Sequence, residues 1–267
     1  MKVFIAVDYE GVAGMVTWDS ADRQREREFI TADANAAILG ALEGGAREIL
    51  VTEAHGNMRN LIPEKLDERA RFLSGQPKSL NHMHGIDDTF DAAMLVAYHA
   101  RQGTERAVMA HTYAFPVYSL RFNGVEVGEI GADAAIAGAF GVPVVLVTGD
   151  AAACAEARDL LGPVETVAVK EGVSHSAAIC LPPAEARRAI TDAAARALSR
   201  VGEVALFRFE GPVEVQVTFD SPPFADSACL LPQLERVDGR TVRYRAADYL
   251  EAFRMFNAAH FLAGVVR

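Results

Sequence analysis

Residues 3–7, "VFIAV", carry no polar side chain on either face, and three more runs are predominantly apolar: "EILVTEA" (48–54), "AAMLVAY" (92–98) and "VPVVLVT" (142–148). A strand that is apolar on both sides must be covered on both sides, which a mostly parallel sheet with helices on each face achieves. Helical stretches separate the runs. Between 20 and 43, Phe29, Ala34, Ala37, Ile38, Ala41 and Leu42 fall on roughly one helical face, and Gly44-Gly45 ends the pattern. The chain of 267 residues is long enough to bury a substantial core around such a sheet. The pattern changes near residue 164. "VETVAVKEG", a helix over 183–201, "VEVQVTF", "TVRYRA" and a closing helix from 246 to about 262 predict a smaller α+β portion. The expected division is therefore an α/β domain over 1–163, holding the candidate site, and an α+β portion over 164–267. Residues 56–88 read as a long irregular loop, the kind of segment that serves as a lid or an oligomer contact.

The formal charge of -10 disfavours nucleic acid and anionic membrane as partners. No segment approaches the roughly 18 apolar residues of a membrane span, and the opening apolar run is too short for a signal peptide, so a cytoplasmic protein is expected. Cys154, Cys180 and Cys229 form no CxxC, which argues against a disulfide framework or a thiolate zinc site and leaves buried free thiols as the expectation. Phosphate-binding glycine loops, a GxSxG elbow and HExxH are all absent.

Polar residues follow the apolar runs in a consistent way. The first leads into Asp8 and Glu10, the second into Glu53 and His55, the third into His99, and a short run "AVMA" (107–110) into His111. Ligand-binding groups of open α/β sheets collect at the carboxyl ends of strands. Two acids and three imidazoles there suit zinc, manganese or a similar divalent ion. The bland readings stand beside this one: Asp8 and Glu10 as a solvated turn, Glu53 as an exposed strand-end acid, His82 and His84 as surface residues of the loop, His260 as structural. After a predicted hairpin turn at Asn123-Gly124 come Glu126, Glu129 and Asp133, with Glu129 open to reading as a capping acid or a metal ligand. His175, in "GVSHSAA", reads either as a helix-entrance residue or as a substrate contact.

Several ordered blocks, "VDYEGVAG", "EAHGNMRN", "GIDDTFDAAMLVAYHAR", "VMAHTY", "VGEIGADAAIAGAFGVPVVLVTGD" and "VAVKEGVSHSAAICLPPAEA", resemble the DppA-type D-aminopeptidases, a family of binuclear zinc peptidases, over nearly the whole chain. The resemblance implies two zinc ions per chain, with Asp8 bridging them and Glu10, His55, His99 and Glu129 completing the ligand set. It implies His111 as a catalytic histidine beside the metals, a short peptide substrate with an N-terminal D-residue of the D-Ala-D-Ala kind, and a homo-oligomer in the form of a decameric ring. Glu53, His84 and His175 depart from the family pattern, where Asp, Glu or Gln, and Arg are expected; these positions bear on substrate preference rather than on the ligands. Glu53, Glu126 and Asp150 are the acids considered for holding a substrate α-ammonium. The rival readings are another two-metal hydrolase (a non-peptide amidase or a phosphoesterase, the latter short of cationic clamps beyond Arg59 and Arg101) and a non-enzymatic metal- or peptide-binding protein.

Overall fold

The run at the start of the chain becomes a strand with Val3, Phe4, Ile5 and Ala6 wholly out of water. The computed structural model describes residues 1–19 and 22–265. In chain order the strands are β1 (Lys2–Val7), β2 (Glu48–Glu53), β3 (Arg71–Leu73), β4 (Ala92–Tyr98), β5 (Val117–Phe122), β6 (Val125–Val127), β7 (Val144–Asp150), β8 (Glu165–Ser174), β9 (Ala177–Cys180), β10 (Val213–Phe219), β11 (Glu235–Arg236) and β12 (Thr241–Ala246). The helices are α1 (Arg23–Glu43), α2 (Glu129–Ala139), α3 (Ala151–Leu161), α4 (Pro183–Ser199), α5 (Pro222–Ala228) and α6 (Tyr249–Ala263). The expected α/β class with a mostly parallel sheet is what forms.

The main sheet has seven strands in the order β3-β2-β1-β4-β7-β8-β9, all parallel except the β8–β9 pair. One face is covered by α1 and α4, which pack closely where Gly40 meets Thr191 and Ala194 and where Thr191 Oγ1 donates to Ala36 O at 3.0 Å. On the other face, α2 packs against β4, β7, β6 and α6. The expected strand at 142–148 begins two residues later, because Pro143 has no N–H to give to the ladder; its carbonyl instead accepts from Ala93 N at 2.9 Å.

A second, antiparallel sheet runs β11-β12-β10-β5-β6. It joins β5 and β6 to three strands from the last third of the chain, while β8 and β9 still belong to the main sheet. Asn123 and Gly124, both at positive φ (49° and 80°), make the tight turn between β5 and β6 that the sequence predicts. The segment at 56–88 is less irregular than expected, since it supplies the edge strand β3 and two short 3-10 turns, Pro63–Lys65 and Asn81–Met83. "AVMA" is not a strand: Arg106 and Met109 sit at positive φ (53° and 52°) in a turning loop. All three cysteines are free, but only Cys154 is fully buried. No helix among the described residues is long and apolar enough to cross a membrane.

The strand order does the positioning. β2, β1 and β4 are neighbours, and the register pairs Val7 with both Glu53 and Val96. The residues that leave these three strands at their carboxyl ends therefore emerge side by side. The loop after β1 then folds over the end of β4, with Gly11 N donating to Ala97 O at 2.7 Å. A Cβ on Gly11 would stand 2.3 Å from both the Ala97 carbonyl carbon and the Tyr98 oxygen, so the crossing requires glycine. We predict that Gly11→Ala displaces the loop and costs on the order of 1–3 kcal/mol, with weakened metal binding. Chemical denaturation read with metal titration checks this, and unchanged values in both would remove the close approach as a constraint.

Candidate metal and catalytic centre

Asp8 leaves β1 with its N–H still bonded to Val96 O at 2.9 Å, and Ala54 N bonds Val7 O at 2.8 Å, so both loops start from fixed backbone. Asp8, Glu10 and Glu129 are 2%, 1% and 2% exposed. Carboxylates so removed from water require compensating charge. His55 Nδ1 lies 3.5 Å from Asp8 Oδ1 and 3.1 Å from Glu10 Oε1. His99 Nε2 lies 3.5 Å from Asp8 Oδ2 and 3.3 Å from Glu129 Oε1. His111 Nε2 is 3.6 Å from the same Glu129 oxygen, and its ring stacks on His99 with centroids 4.1 Å apart. The structure thus brings together all six residues that the sequence reading proposed.

Two overlapping donor groups result. Asp8, Glu10 and His99 offer donor atoms within 4.8 Å of one another, and so do His99, His111 and Glu129. The decisive detail is at their junction. His99 Nδ1 faces Ala100 O at 2.9 Å and donates to it, which turns the Nε2 lone pair toward the carboxylates. His99 Nε2 and Asp8 Oδ2 are both buried without a hydrogen-bond partner among the described residues. A lone pair aimed at carboxylate oxygens is favourable only if a proton or a metal cation lies between them. Mixed oxygen and imidazole donors, with no thiolate, fit a divalent ion of the zinc or manganese kind.

The protonation behaviour follows from the same crowding. Burial, helped by the Glu10 charge, pushes Asp8 up to about 6. Burial also opposes ionisation of Glu10 and Glu129, but His55 outweighs it at Glu10 and His99 at Glu129, so both are held below the usual carboxylate range. His55 rises to about 10, since Glu10 and Asp8 overcome its own desolvation. His111 differs: burial, with His99 beside it, holds it below the usual imidazole value. Its Nδ1 donates to Met109 O at 3.0 Å, leaving Nε2 as a lone pair beside the cluster. His111 is therefore neutral near pH 7 and is carried on a turning loop.

Glu129 is the first residue of α2, reached through the β5–β6 hairpin, and Tyr113 N donates to its Oε1 at 2.6 Å. Asp133, one turn further on, accepts from Tyr98 OH at 2.7 Å, from Tyr113 OH at 2.8 Å and from His82 Nδ1 at 3.0 Å. His82 lies 3.6 Å from Glu129 Oε2. The surface placement expected for His82 is thus corrected: it is 5% exposed and braces Glu129, because the 3-10 turn at 81–83 folds inward. His84, on the far side of that turn, is partly exposed. Glu53 is likewise not an exposed strand-end acid. It is 2% exposed and accepts from Leu61 N at 3.1 Å and from Asn60 N, which ties the loop after His55. Asp150 accepts from Val108 N and Ala153 N, both at 2.7 Å, and Glu126 engages Ser119 and Arg121. The three acids considered for a substrate α-ammonium are therefore all engaged in structural bonds. Arg101 turns toward Glu126 at 3.8 Å. His175 sits in the β8–β9 turn rather than at a helix; its carbonyl accepts from Met109 N at 2.8 Å, and its ring approaches Trp18.

Lys170 escaped the sequence reading. It lies on β8, 3% exposed, and its Nζ donates to the carbonyls of Glu10, Val12 (3.0 Å) and Met15 (2.5 Å). Burial pulls it down to about 8. One ammonium thus fixes the whole loop that carries the acid pair. Its signal in the sequence is a cation directly after the apolar run "VAV" within a strand.

Buried carboxylates and imidazoles on the carboxyl edge of a parallel sheet, with a neutral histidine beside them, define an α/β metallohydrolase. Within that class the chain belongs to the D-aminopeptidase family (peptidase family M55), whose profile matches residues 1–258. It is 38% identical to the D-aminopeptidase of Bacillus subtilis (strain 168) over 260 residues, 95% of this chain and 94% of the relative. The fold matches that of the Zn-dependent D-aminopeptidase DppA from Bacillus subtilis, described as a self-compartmentalizing protease. That match has a TM-score of 0.97 and 36% identity, covering 100% of this chain and 99% of the other.

We predict that Lys170→Met, by leaving buried carbonyls without a donor, destabilises the fold by several kcal/mol at about 1–3 per unsatisfied group. It should also lower metal affinity at least tenfold. Calorimetric metal titration of the folded variant reads the second effect, and wild-type affinity would show that the loop holds its shape without the lysine.

Proposed function

We propose that this protein is a zinc-dependent aminopeptidase that removes the N-terminal D-residue of short peptides of the D-Ala-D-Ala kind. Asp8, Glu10, His55, His99 and Glu129 would hold two zinc ions, which would supply a Lewis acid and an activated water. The observation that carries this reading is the pair of unpartnered buried atoms, His99 Nε2 and Asp8 Oδ2, at the junction of two donor groups. Membership of the D-aminopeptidase family and the likeness to a Zn-dependent member support the metal and the substrate class.

The protein's own groups supply the rest. His99 is oriented by its bond to Ala100 O, and Glu10 by Trp18, whose Nε1–H donates to one carboxylate oxygen. Glu129 is held by Tyr113 N and braced by His82. His111, neutral and with Nε2 free, takes up a proton during attack and returns it to the departing amine; its bond to Met109 O fixes the tautomer that allows this. The self-compartmentalizing relative supports assembly of this chain into a closed homo-oligomer, for which we propose a decameric ring working in the cytoplasm.

His99→Ala and Glu129→Ala are expected to lose metal and activity together, whereas His111→Ala keeps its metal and loses turnover by about 10²–10⁴. Loss of metal in His111→Ala would make it a ligand, and full turnover would remove it from the reaction. Elemental analysis of the purified protein should give two zinc ions per chain, with D-Ala-D-Ala cut and L-Ala-L-Ala left intact. Light scattering on that preparation should give about ten times the 28.7 kDa chain mass. Two metals with neither dipeptide cut would discard the substrate, and a single-chain mass would discard the ring.

A further inference from the structure

A cleft of about 230 Å³ opens beside His55, with Tyr9, Trp18 and Ile30 among its walls and Arg23, Arg27 and Arg59 around it. It is continuous with the centre through two contacts. Tyr9 stacks on His55 with ring centroids 4.6 Å apart, and Trp18, which lines the cleft, donates to Glu10. Its volume is below the roughly 300–1,000 Å³ of ordinary ligand pockets, which suits one residue better than a continuing chain.

The polar groups of the cleft divide into those already engaged and those still open. Arg27 gives Nε to Asn60 O at 3.1 Å and Nη2 to Leu61 O at 2.8 Å, so it serves the wall itself. Glu26, the one acid lining the cleft, accepts from Tyr9 OH at 2.9 Å. Arg23 and Arg59 remain. Their guanidinium groups form no ion pair or hydrogen bond among the described residues, and both line the same cleft. Asn57 Oδ1 accepts from Arg59 N at 3.1 Å, which fixes the turn from which that guanidinium projects.

We infer that this cleft binds the C-terminal carboxylate of the substrate, with Arg59 and Arg23 as its anion-binding residues and Tyr9, Trp18 and Ile30 packing on the last side chain. The inference rests on the peptidase reading above and deepens it. A peptide held with its scissile bond at the centre passes over His55 and Tyr9, and a dipeptide ends where the arginines stand. Guanidinium pairs with carboxylate in a bidentate fork that an amide cannot reproduce. The enzyme is then selective for the shortest peptides through their free carboxyl end.

The test compares D-Ala-D-Ala with its C-terminal amide on the zinc-loaded enzyme and on Arg59→Ala. The free acid should be preferred about 10- to 100-fold in kcat/KM by the wild type, through KM. In Arg59→Ala that preference should collapse toward unity, with zinc content as in the wild type, and Arg59→Lys should restore part of it. Equal handling of acid and amide by the wild type, or an undiminished preference in Arg59→Ala, overturns the inference. Calorimetric binding of N-acetyl-D-Ala-D-Ala and of its amide gives an independent reading. If neither peptide is cut, the peptidase reading fails, while a binding preference for the acid that is lost in Arg59→Ala still supports the carboxylate site, and its absence removes it.

Discussion

Three carboxylates held close together and out of water set the terms for the rest of this molecule. Two like charges about 4 Å apart repel by roughly 4 kcal/mol even at an effective dielectric of 20. That is a large share of the 5–15 kcal/mol by which a domain is ordinarily stable. Asp8 responds by holding its proton up to about 6, while Glu10 and Glu129 stay ionised because imidazoles stand against them. The cluster persists because the apolar core on both sheet faces is large, and because its charges can be met by cations.

Such a cluster would relax if its loops were free to move, and each of them is pinned from behind. Lys170 gathers three carbonyls of the loop after β1, and Glu53 gathers two amides of the loop after β2. Asp150 ties Val108, and with it the loop of His111, to the start of α3. At the end of β4, Ala97 takes a positive φ of 61°, unusual for alanine, and its N–H is held by Thr148 Oγ1 at 2.8 Å. The polar network thus extends beyond the centre itself, and its outer members fix backbone rather than bind ligand. This division explains how, of the many acids near the site, Asp8, Glu10 and Glu129 are the ones that face the imidazoles of His55, His99 and His111.

The parts of this arrangement that could be read from sequence are those governed by local pattern. β1 and β4 are legible because an unbroken apolar run has few other uses, β2 because of its aliphatic centre "ILV", and His55 and His99 because they follow such runs. The hairpin before Glu129 was legible from Asn123-Gly124. His111 also follows an apolar run, but that run is a loop whose residues are buried without forming a strand. His82 and Glu53 were misplaced because their burial depends on Asp133 and on Asn60 and Leu61, partners that no periodicity reveals. The second sheet was hidden for the same reason. β10 alternates buried and half-buried residues clearly enough, yet its partner β5 lies nearly a hundred residues away in sequence.

The surroundings of the centre are asymmetric. Beneath it lie the sheet and the Asp133 carboxylate, buried and engaged by Tyr98, Tyr113 and His82. Above it, Trp18 meets His111 edge-on at 5.5 Å and Phe115 at 5.1 Å, with His175 at 5.8 Å, and Phe115 is 65% exposed. An aromatic wall of this kind can pack on an apolar side chain while leaving the backbone of a peptide free to turn toward the cations. Trp18 belongs to both regions, since the indole that shapes the wall also holds Glu10. A substrate that presses on the wall therefore acts on a carboxylate of the centre through a single hydrogen bond, which couples recognition to the chemistry of the centre.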